Sequence, residues 1–387
     1  MVFEILFWLS LAAVFYTFAG YPVLLRLLNA LCKRSVRVGN EVDHLPTEWP
    51  ALSVILVVWN EESRIGPRVR NLEACRYEGE REIIIVCDGC TDATVEKIGA
   101  IQSSVALKVV EKPEQEGKAS GINAGVAKAQ GEILIFADAR QRFDVAALAC
   151  LVKPMISDPR VAGVSGSLEI EKSEEGAGAG MDAYWRFEKW IRNEESKLDS
   201  VIGCTGAIYA LRRDAFVEIP ADTLIDDVVI PMQALVQGAT IQFEPTAIAF
   251  DPQTLDPVNE NRRKIRTLAG NYQMLFRYLS WLNPFCNRCA WQLISHKYMR
   301  LAGPLFLSSC LATSGWLSFQ SPFYAALFGL QIACYVLGLL GIARKEAKWR
   351  AITIPGGFLF LQWQSLKSLF YYFAALREGR GGVWKVG

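Results

Sequence analysis

Two charge-free apolar stretches, one near each end of the chain, constrain this sequence more than any other feature. Residues 5–25 and 301–343 contain no Asp, Glu, Lys or Arg. At about 1.5 Å per helical residue the first can cross a hydrocarbon layer of about 30 Å. The second is long enough to cross twice, with Gln320-Ser321-Pro322 as its hairpin, because a lipid-exposed turn would leave backbone groups unpaired. A third apolar stretch, 351–376, is interrupted by Lys367. The ends raise the hydrophobic share of the 387 residues to 51%.

The flanking charges orient these segments. Only Glu4 precedes the first span, whereas Arg26, Lys33, Arg34 and Arg37 follow it, so the positive-inside rule puts the N-terminus outside and the middle of the chain in the cytosol. The apolar run is long for a signal-peptide core and lacks a preceding positive charge, which makes it a retained anchor. His296, Lys297 and Arg300 then lie inside before the second span, and Arg344, Lys345, Lys348 and Arg350 inside after the third. A fourth crossing by 351–376 would carry Arg377, Arg380 and Lys385 outside, against the same rule. Gln362, Gln364 and Lys367 weaken that stretch, so it reads either as a transmembrane helix or as a re-entrant or interfacial one.

The net charge is +1, which offers no field for nucleic acid. Ten scattered cysteines fit a reducing compartment. The pairs Cys87/Cys90 and Cys286/Cys289 lie too far apart for a zinc ribbon. No Gly-x-Gly-x-x-Gly follows the first strand, which excludes a nicotinamide dehydrogenase. The two histidines, His44 and His296, give no basis for histidine catalysis. The Gly176-Ala177-Gly178-Ala179-Gly180 run reads as a mobile loop.

Between the apolar ends, residues 53–58, 82–87 and 133–137 are short runs rich in β-branched residues, each followed by polar residues and a helical pattern. Such runs predict buried parallel strands in an open α/β sheet, with a helix over 119–130 before the third. Ligands of these sheets bind beyond the carboxyl ends of the strands, where Asn60-Glu61, Asp88 and Asp138 fall. Each acid has a plainer reading: Asp88-Gly89 as a turn, Asp138 as a helix cap, Asp226-Asp227 as an N-cap pair. Two amphipathic faces, one with Phe187, Trp190, Ile191 and Leu198, the other with Leu275, Tyr278, Leu279 and Leu282, suit helices lying on a bilayer or against the sheet.

Taken in order, Asp88-Gly89-Cys90-Thr91-Asp92, Gly117-Lys118-Ala119 with Asn123, Asp138-Ala139-Arg140, Cys204-Thr205-Gly206-Ala207, Asp226-Asp227 and Arg263 to Arg266 resemble the motifs of family 2 glycosyltransferases. The resemblance runs from about Ala51 to Thr267. With its apolar flanks, the chain looks like the branch containing hyaluronan, chitin, poly-N-acetylglucosamine and cellulose synthases. It implies a GT-A-type nucleotide-sugar-binding α/β domain with a mainly parallel sheet, plus transmembrane and interfacial helices. The corresponding organisation is an anchor (1–32), a cytosolic catalytic domain (50–267), interfacial helices (268–299), two transmembrane helices (300–343), a third transmembrane or re-entrant helix (351–376) and a tail (377–387). Location in a bacterial inner membrane follows.

By the same resemblance, Asn60, Glu61 and Asp88 contact the nucleoside, and Lys118, with Asn123 close by, the diphosphate. Asp138 matches the first acid of the family's Asp-x-Asp and faces a metal-bridged diphosphate, the metal being Mg2+ or Mn2+. The third position is Arg140, so either one carboxylate holds the metal with phosphate oxygens and water, or Arg140 pairs with phosphate directly. Asp227 matches the general base, with Asp226, Cys204, Thr205 and Gly206 on the acceptor side. Arg263 and Arg266 fall in the family's Gln-x-x-Arg-Trp, where the arginine steadies the leaving diphosphate; the Gln and Trp are replaced by Arg263 and Thr267. The expected reaction is inverting transfer from a nucleotide-sugar, a UDP-sugar above all, to a growing polysaccharide or lipid-linked acceptor at the bilayer. The alternatives are single addition to a glycolipid and a non-catalytic nucleotide-sugar-binding subunit.

Overall fold

A computed structural model describes residues 1–32, 48–171, 179–252, 257–344 and 349–377. The chain opens with α1 (Val2–Phe15) and α2 (Tyr21–Cys32), joined by one π-helical turn. Then β1 (Leu52–Val58), α3 (Ile65–Ala74), β2 (Arg81–Asp88), α4 (Thr94–Gly99), β3 (Ala106–Lys112), α5 (Lys118–Val126) and β4 (Ile133–Ala137) alternate, as the β-branched runs predict. All of β4 and nearly all of β1 and β2 are buried, because helices cover both faces. Each fully buried Ile, Leu or Val there contributes about 1.5–3 kcal/mol relative to exposure. Helix α5 lies so close to β1 that a Cβ on Gly121 would come within 2.5 Å of Val57.

The second half departs from the simple parallel pattern. After β5 (Arg142–Phe143) and α6 (Ala147–Ser157) come β6 (Val161–Glu171), α7 (Ala179–Leu198), β7 (Ile208–Arg212), α8 (Asp226–Val236) and β8 (Thr240–Pro252). The eight strands are ordered β3-β2-β1-β4-β7-β6-β8-β5. Four pairings are parallel, but β7 runs antiparallel to both β4 and β6, and β5 to β8. The sheet is therefore mixed and mainly parallel. Inserting β7 between β4 and β6 sets the carboxyl end of β4 beside the start of β7, pairing Ala137 with Ile208.

The remaining helices are α9 (Pro257–Arg277), α10 (Ala290–Gln292), a π-helical segment Leu293–Tyr298, α11 (Met299–Leu301), α12 (Gly303–Leu317), α13 (Pro322–Ala343) and α14 (Arg350–Arg377). Among the described residues, two stretches are long and apolar enough to cross a bilayer, Val2–Cys32 and Pro322–Ala343. Helix α12, at 15 residues, is shorter but runs along α1, with Ser10 donating to Ser309 at 2.8 Å and Phe3 against Trp316. The hairpin falls at Ser321, which caps α13 through the backbone N–H of Phe323. Helix α14 meets the last turns of α13, where a Cβ on Gly341 would collide with the carbonyl of Ile352 at 2.0 Å. It then passes the start of α12, where Ser365 donates to the Leu301 carbonyl at 3.1 Å, and ends stacked on α9 through Phe276 and Tyr372.

The apolar face of α7 has a definite partner: Ile191 is fully buried against Tyr21 and Leu25 of α2, with Phe187 and Leu198 beside them. This part of the face packs on the N-terminal helix, whereas Trp190 stays exposed. In the second predicted face, Leu275, Tyr278 and Leu282 pack on the core, and Leu279 is exposed. Residues 172–178, with most of the glycine-alanine run, and the basic residues Lys33, Arg34, Arg37, Lys345, Lys348, Arg380 and Lys385 lie outside the described residues.

Candidate functional site

The loops after β1 and β2 interlock. Asn60 takes a positive φ of 53°, and its side chain accepts from the Thr91 N–H at 2.9 Å and donates to the Thr91 hydroxyl at 3.1 Å. The backbone N–H of Glu61 donates to the Thr94 hydroxyl at 2.8 Å, while its carboxylate pairs with Arg64. Asp88, buried at the end of β2, accepts from the backbone N–H of Glu116 at 3.0 Å and of Gly117 at 2.7 Å. Gly89 follows with a φ of +66°, and a Cβ there would lie 2.4 Å from the backbone nitrogen of Gln115. Asp88 is thus more than a turn residue: it shapes the loop that delivers Lys118.

Lys118 begins α5 and draws distant acids together. Its ammonium lies 2.9 Å from Asp138 Oδ1 at the end of β4 and 3.3 Å from Asp226 Oδ2 at the start of α8. Burial opposes the charge on Lys118, but Asp138 and Asp226 outweigh it and raise its pKa. The Asp138 side chain remains 37% exposed beside Lys118.

Asp226 and Asp227 open α8 without acting as N-cap side chains; that position belongs to Ile225, and the pair occupies the first turn, where the helix dipole favours negative charge. Burial, then the neighbouring Asp226 charge, push Asp227 up to about 6, against the pull of Lys118, Lys297 and Arg192. The Cys204 backbone N–H donates to the Asp227 carbonyl at 2.8 Å, and a Cβ on Gly206 would stand 2.9 Å from Asp227 Oδ2. Thr205 is fixed by the Ser165 hydroxyl at 2.9 Å and by Arg192 at 2.9 Å. Cys204, Thr205 and Gly206 therefore form the wall against which Asp227 rests.

Two expected donor residues are placed otherwise. Asn123 donates to the Ile219 carbonyl at 2.7 Å and accepts from its N–H at 3.2 Å, so its amide pins a loop. Arg140 pairs through one nitrogen with Asp251, which also accepts from Gln141, and the rest of its guanidinium keeps further donors. Burial and the charge of Arg263 lower the Arg140 pKa, which places Arg263 within electrostatic reach of the cleft. Arg263 is exposed and Arg266 partly buried on α9, whereas Lys264 lies over the Phe360 ring of α14.

Four residues of this neighbourhood belong to no sequence motif. The Tyr209 hydroxyl on β7 is buried and has no hydrogen-bond partner among the described residues; its pKa is raised first by burial and then by Asp226, Cys204 and Asp227. Its ring stacks on Phe136 at 4.5 Å. Asp251, Arg192 and Lys297 are the others, each brought in from a separate element. No local pattern marks them; the strand alternation that turns Tyr209 and Phe136 to one face is the nearest signal.

Residues 53–219 match the family model described as glycosyl transferase family 2. A poly-beta-1,6-N-acetyl-D-glucosamine synthase of Staphylococcus aureus (strain COL) is 25% identical over 236 residues, covering 59% of this chain and 57% of that protein. A synthase of the same name from Staphylococcus epidermidis is 23% identical over 250 residues, covering 63% of this chain and 59% of that protein. The alignments thus span a little over half the length of these relatives. A mannosyltransferase from Pyrobaculum calidifontis, solved with GDP-Man and Mn2+, shares the fold at a TM-score of 0.72 and 20% identity over 95% of this chain and 99% of that one. Residues 53–219 are accordingly a glycosyltransferase family 2 domain, and the chain carries it in a GT-A fold set against apolar helices.

Proposed function

We propose that the protein is an inverting glycosyltransferase that moves a sugar from a nucleotide-sugar, with a UDP-sugar as the expected donor, to a polysaccharide or lipid-linked acceptor at the membrane. One observation carries this reading: Lys118 joins Asp138 and Asp226 in one cleft, directly beside an aspartate whose pKa is raised to about 6. A carboxylate so tuned is a better base than an ordinary one, yet is ionised at neutral pH. Asp227 takes the proton of the acceptor hydroxyl as that oxygen bonds to the anomeric carbon, and the bond from that carbon to the diphosphate breaks on the opposite face. Lys118 neutralises phosphate charge, and Arg263 and Arg266 steady the departing diphosphate.

Among the described residues no group of three metal-ligating side chains occurs. Asp138, with one oxygen on Lys118 and a partly exposed carboxylate, fits Mg2+ or Mn2+ as one ligand among donor phosphate oxygens and water. Such an ion supplies further neutralisation of the diphosphate. The catalytic domain then faces the cytosol, with α1, α2, α12 and α13 in a bacterial inner membrane and α14 along its inner edge.

The test is nucleotide release by purified full-length protein from a panel of sugar nucleotides, with and without lipid extract. Lipid-stimulated release from one donor supports the reading; donor binding without release or slow hydrolysis from any donor identifies a binding subunit instead. Exposed Thr267, in place of the family's tryptophan, favours single addition as the second reading. A product ladder decides for polymerisation, one added sugar against it.

A further inference from the structure

Lys297 lies on the π-helical segment between buried His296 and buried Tyr298, close enough to Asp227 for the two charges to affect each other. Its neighbours are already engaged. His296 spans Glu195 at 2.8 Å and Glu188 at 3.0 Å, and Glu188 also holds Arg300 at 2.8 Å. Burial acts to raise Glu188, but His296 and Arg300 hold it well below the usual carboxylate range. Arg192 is turned to Thr205. Lys297 itself is partly buried, yet among the described residues it has no carboxylate within 4 Å and no hydrogen bond. Glu188, Asp227 and Glu195 act on this ammonium only from beyond 4 Å, so its three N–H donors remain open to an anion that arrives with a ligand.

The donor diphosphate has Lys118, Arg263 and Arg266, so the ligand at Lys297 is the acceptor. Its other end follows from the chain: within a few residues of Lys297, α12 begins, and α1, α12, α13 and α14 enclose an apolar cavity of about 290 Å3 lined by Phe7, Leu11, Leu307, Cys310 and Phe358. An acceptor with an apolar chain among these helices brings its head to the level where the helices meet the catalytic domain. We propose that Lys297 is the anion-binding residue of an acceptor subsite, and that the acceptor is an amphiphile whose head carries negative charge, as phosphate or carboxylate, next to the hydroxyl that is glycosylated. This rests on the glycosyltransferase reading above.

The test is binding by the full chain in nanodiscs of zwitterionic lipid, saturated with UDP, of dodecyl phosphate, dodecanoate and dodecyl glucoside. A charge-assisted contact gives the wild type about tenfold or greater preference for an anionic head over the glucoside. Lys297→Met brings that ratio close to one and Lys297→Arg retains it. The tighter of the two anions identifies the head group. A wild type without preference, or a Lys297→Met protein that keeps it, overturns the proposal; should the methionine variant not fold, the wild-type ratio and the arginine variant decide. Binding needs no turnover, so a chain that prefers the anion but releases nucleotide from no donor refutes the glycosyltransferase reading and leaves the subsite standing.

Discussion

Replacing Asp227 with Asn separates catalysis from stability with opposite signs. In the wild type, burial and Asp226 raise Asp227 from the ordinary 3.8 to about 6. At about 1.4 kcal/mol per unit, holding this carboxylate ionised in the native state costs about 3 kcal/mol at neutral pH. A raised pKa means that the cost is absent below pH 3.8 and complete only above pH 6. Asn has the same shape and no charge, so Asp227→Asn removes the cost. Allowing for solvent screening of the partly exposed side chain, the variant gains about 1–3 kcal/mol at pH 7.5, a rise in midpoint of roughly 2–10 °C, and only about a fifth of that at pH 4. Sugar transfer meanwhile falls by about 10²–10⁴-fold, the range for loss of a general base, with nucleotide binding unchanged. Thermal unfolding in detergent at a series of pH values, together with nucleotide-release kinetics, measures both. A variant less stable than the wild type at pH 7.5, a gain independent of pH, or retained turnover refutes the electrostatic argument.

Lys118→Met leaves Asp138 and Asp226 facing each other without the ammonium between them, so donor affinity falls at least about tenfold by calorimetry and the melting temperature drops. Gly206→Ala puts a methyl group 2.9 Å from Asp227 Oδ2 and displaces the base; kcat falls about tenfold or more while donor Kd is unchanged, and equal loss in both would refute the assignment of this wall to the acceptor side. Full chelation removes nucleotide release, and Mn2+ or Mg2+ restores it; activity that survives chelation assigns the diphosphate to cationic side chains alone. Gly89→Ala, at a φ of +66° and with no room for a Cβ, destabilises the protein by about 1–3 kcal/mol, seen as a lower unfolding midpoint.

The parts legible in the sequence were those with a local cause. Strands β1, β2 and β4 are continuous β-branched runs because both faces are covered, and their ends located Asp88 and Asp138 correctly. The antiparallel half was not legible: β8 runs through Glu244 and Pro245, and β7 has five residues whose direction depends on partners elsewhere in the chain. Asp138, Asp226, Asp227 and Lys118 converge as their order suggested. The bonds that hold Asn123 and Arg140 could not be read locally, because their partners Ile219 and Asp251 lie 96 and 111 residues away. Tyr209, Arg192 and Lys297 were missed for the same reason. Each acquires meaning only when β7, α7 and the segment before α12 are set beside α8.

The engagement of Asp88 with the amides of Glu116 and Gly117 has a consequence for how a donor is met. The segment ahead of Lys118 is tied by two backbone hydrogen bonds to the Asp88 carboxylate and packs closely against Gly89, with no ligand needed for either contact. Its conformational entropy is therefore surrendered during folding and not at each binding event. Recognition at this cleft thus starts from a loop already shaped by folding, which spares the binding step that ordering cost.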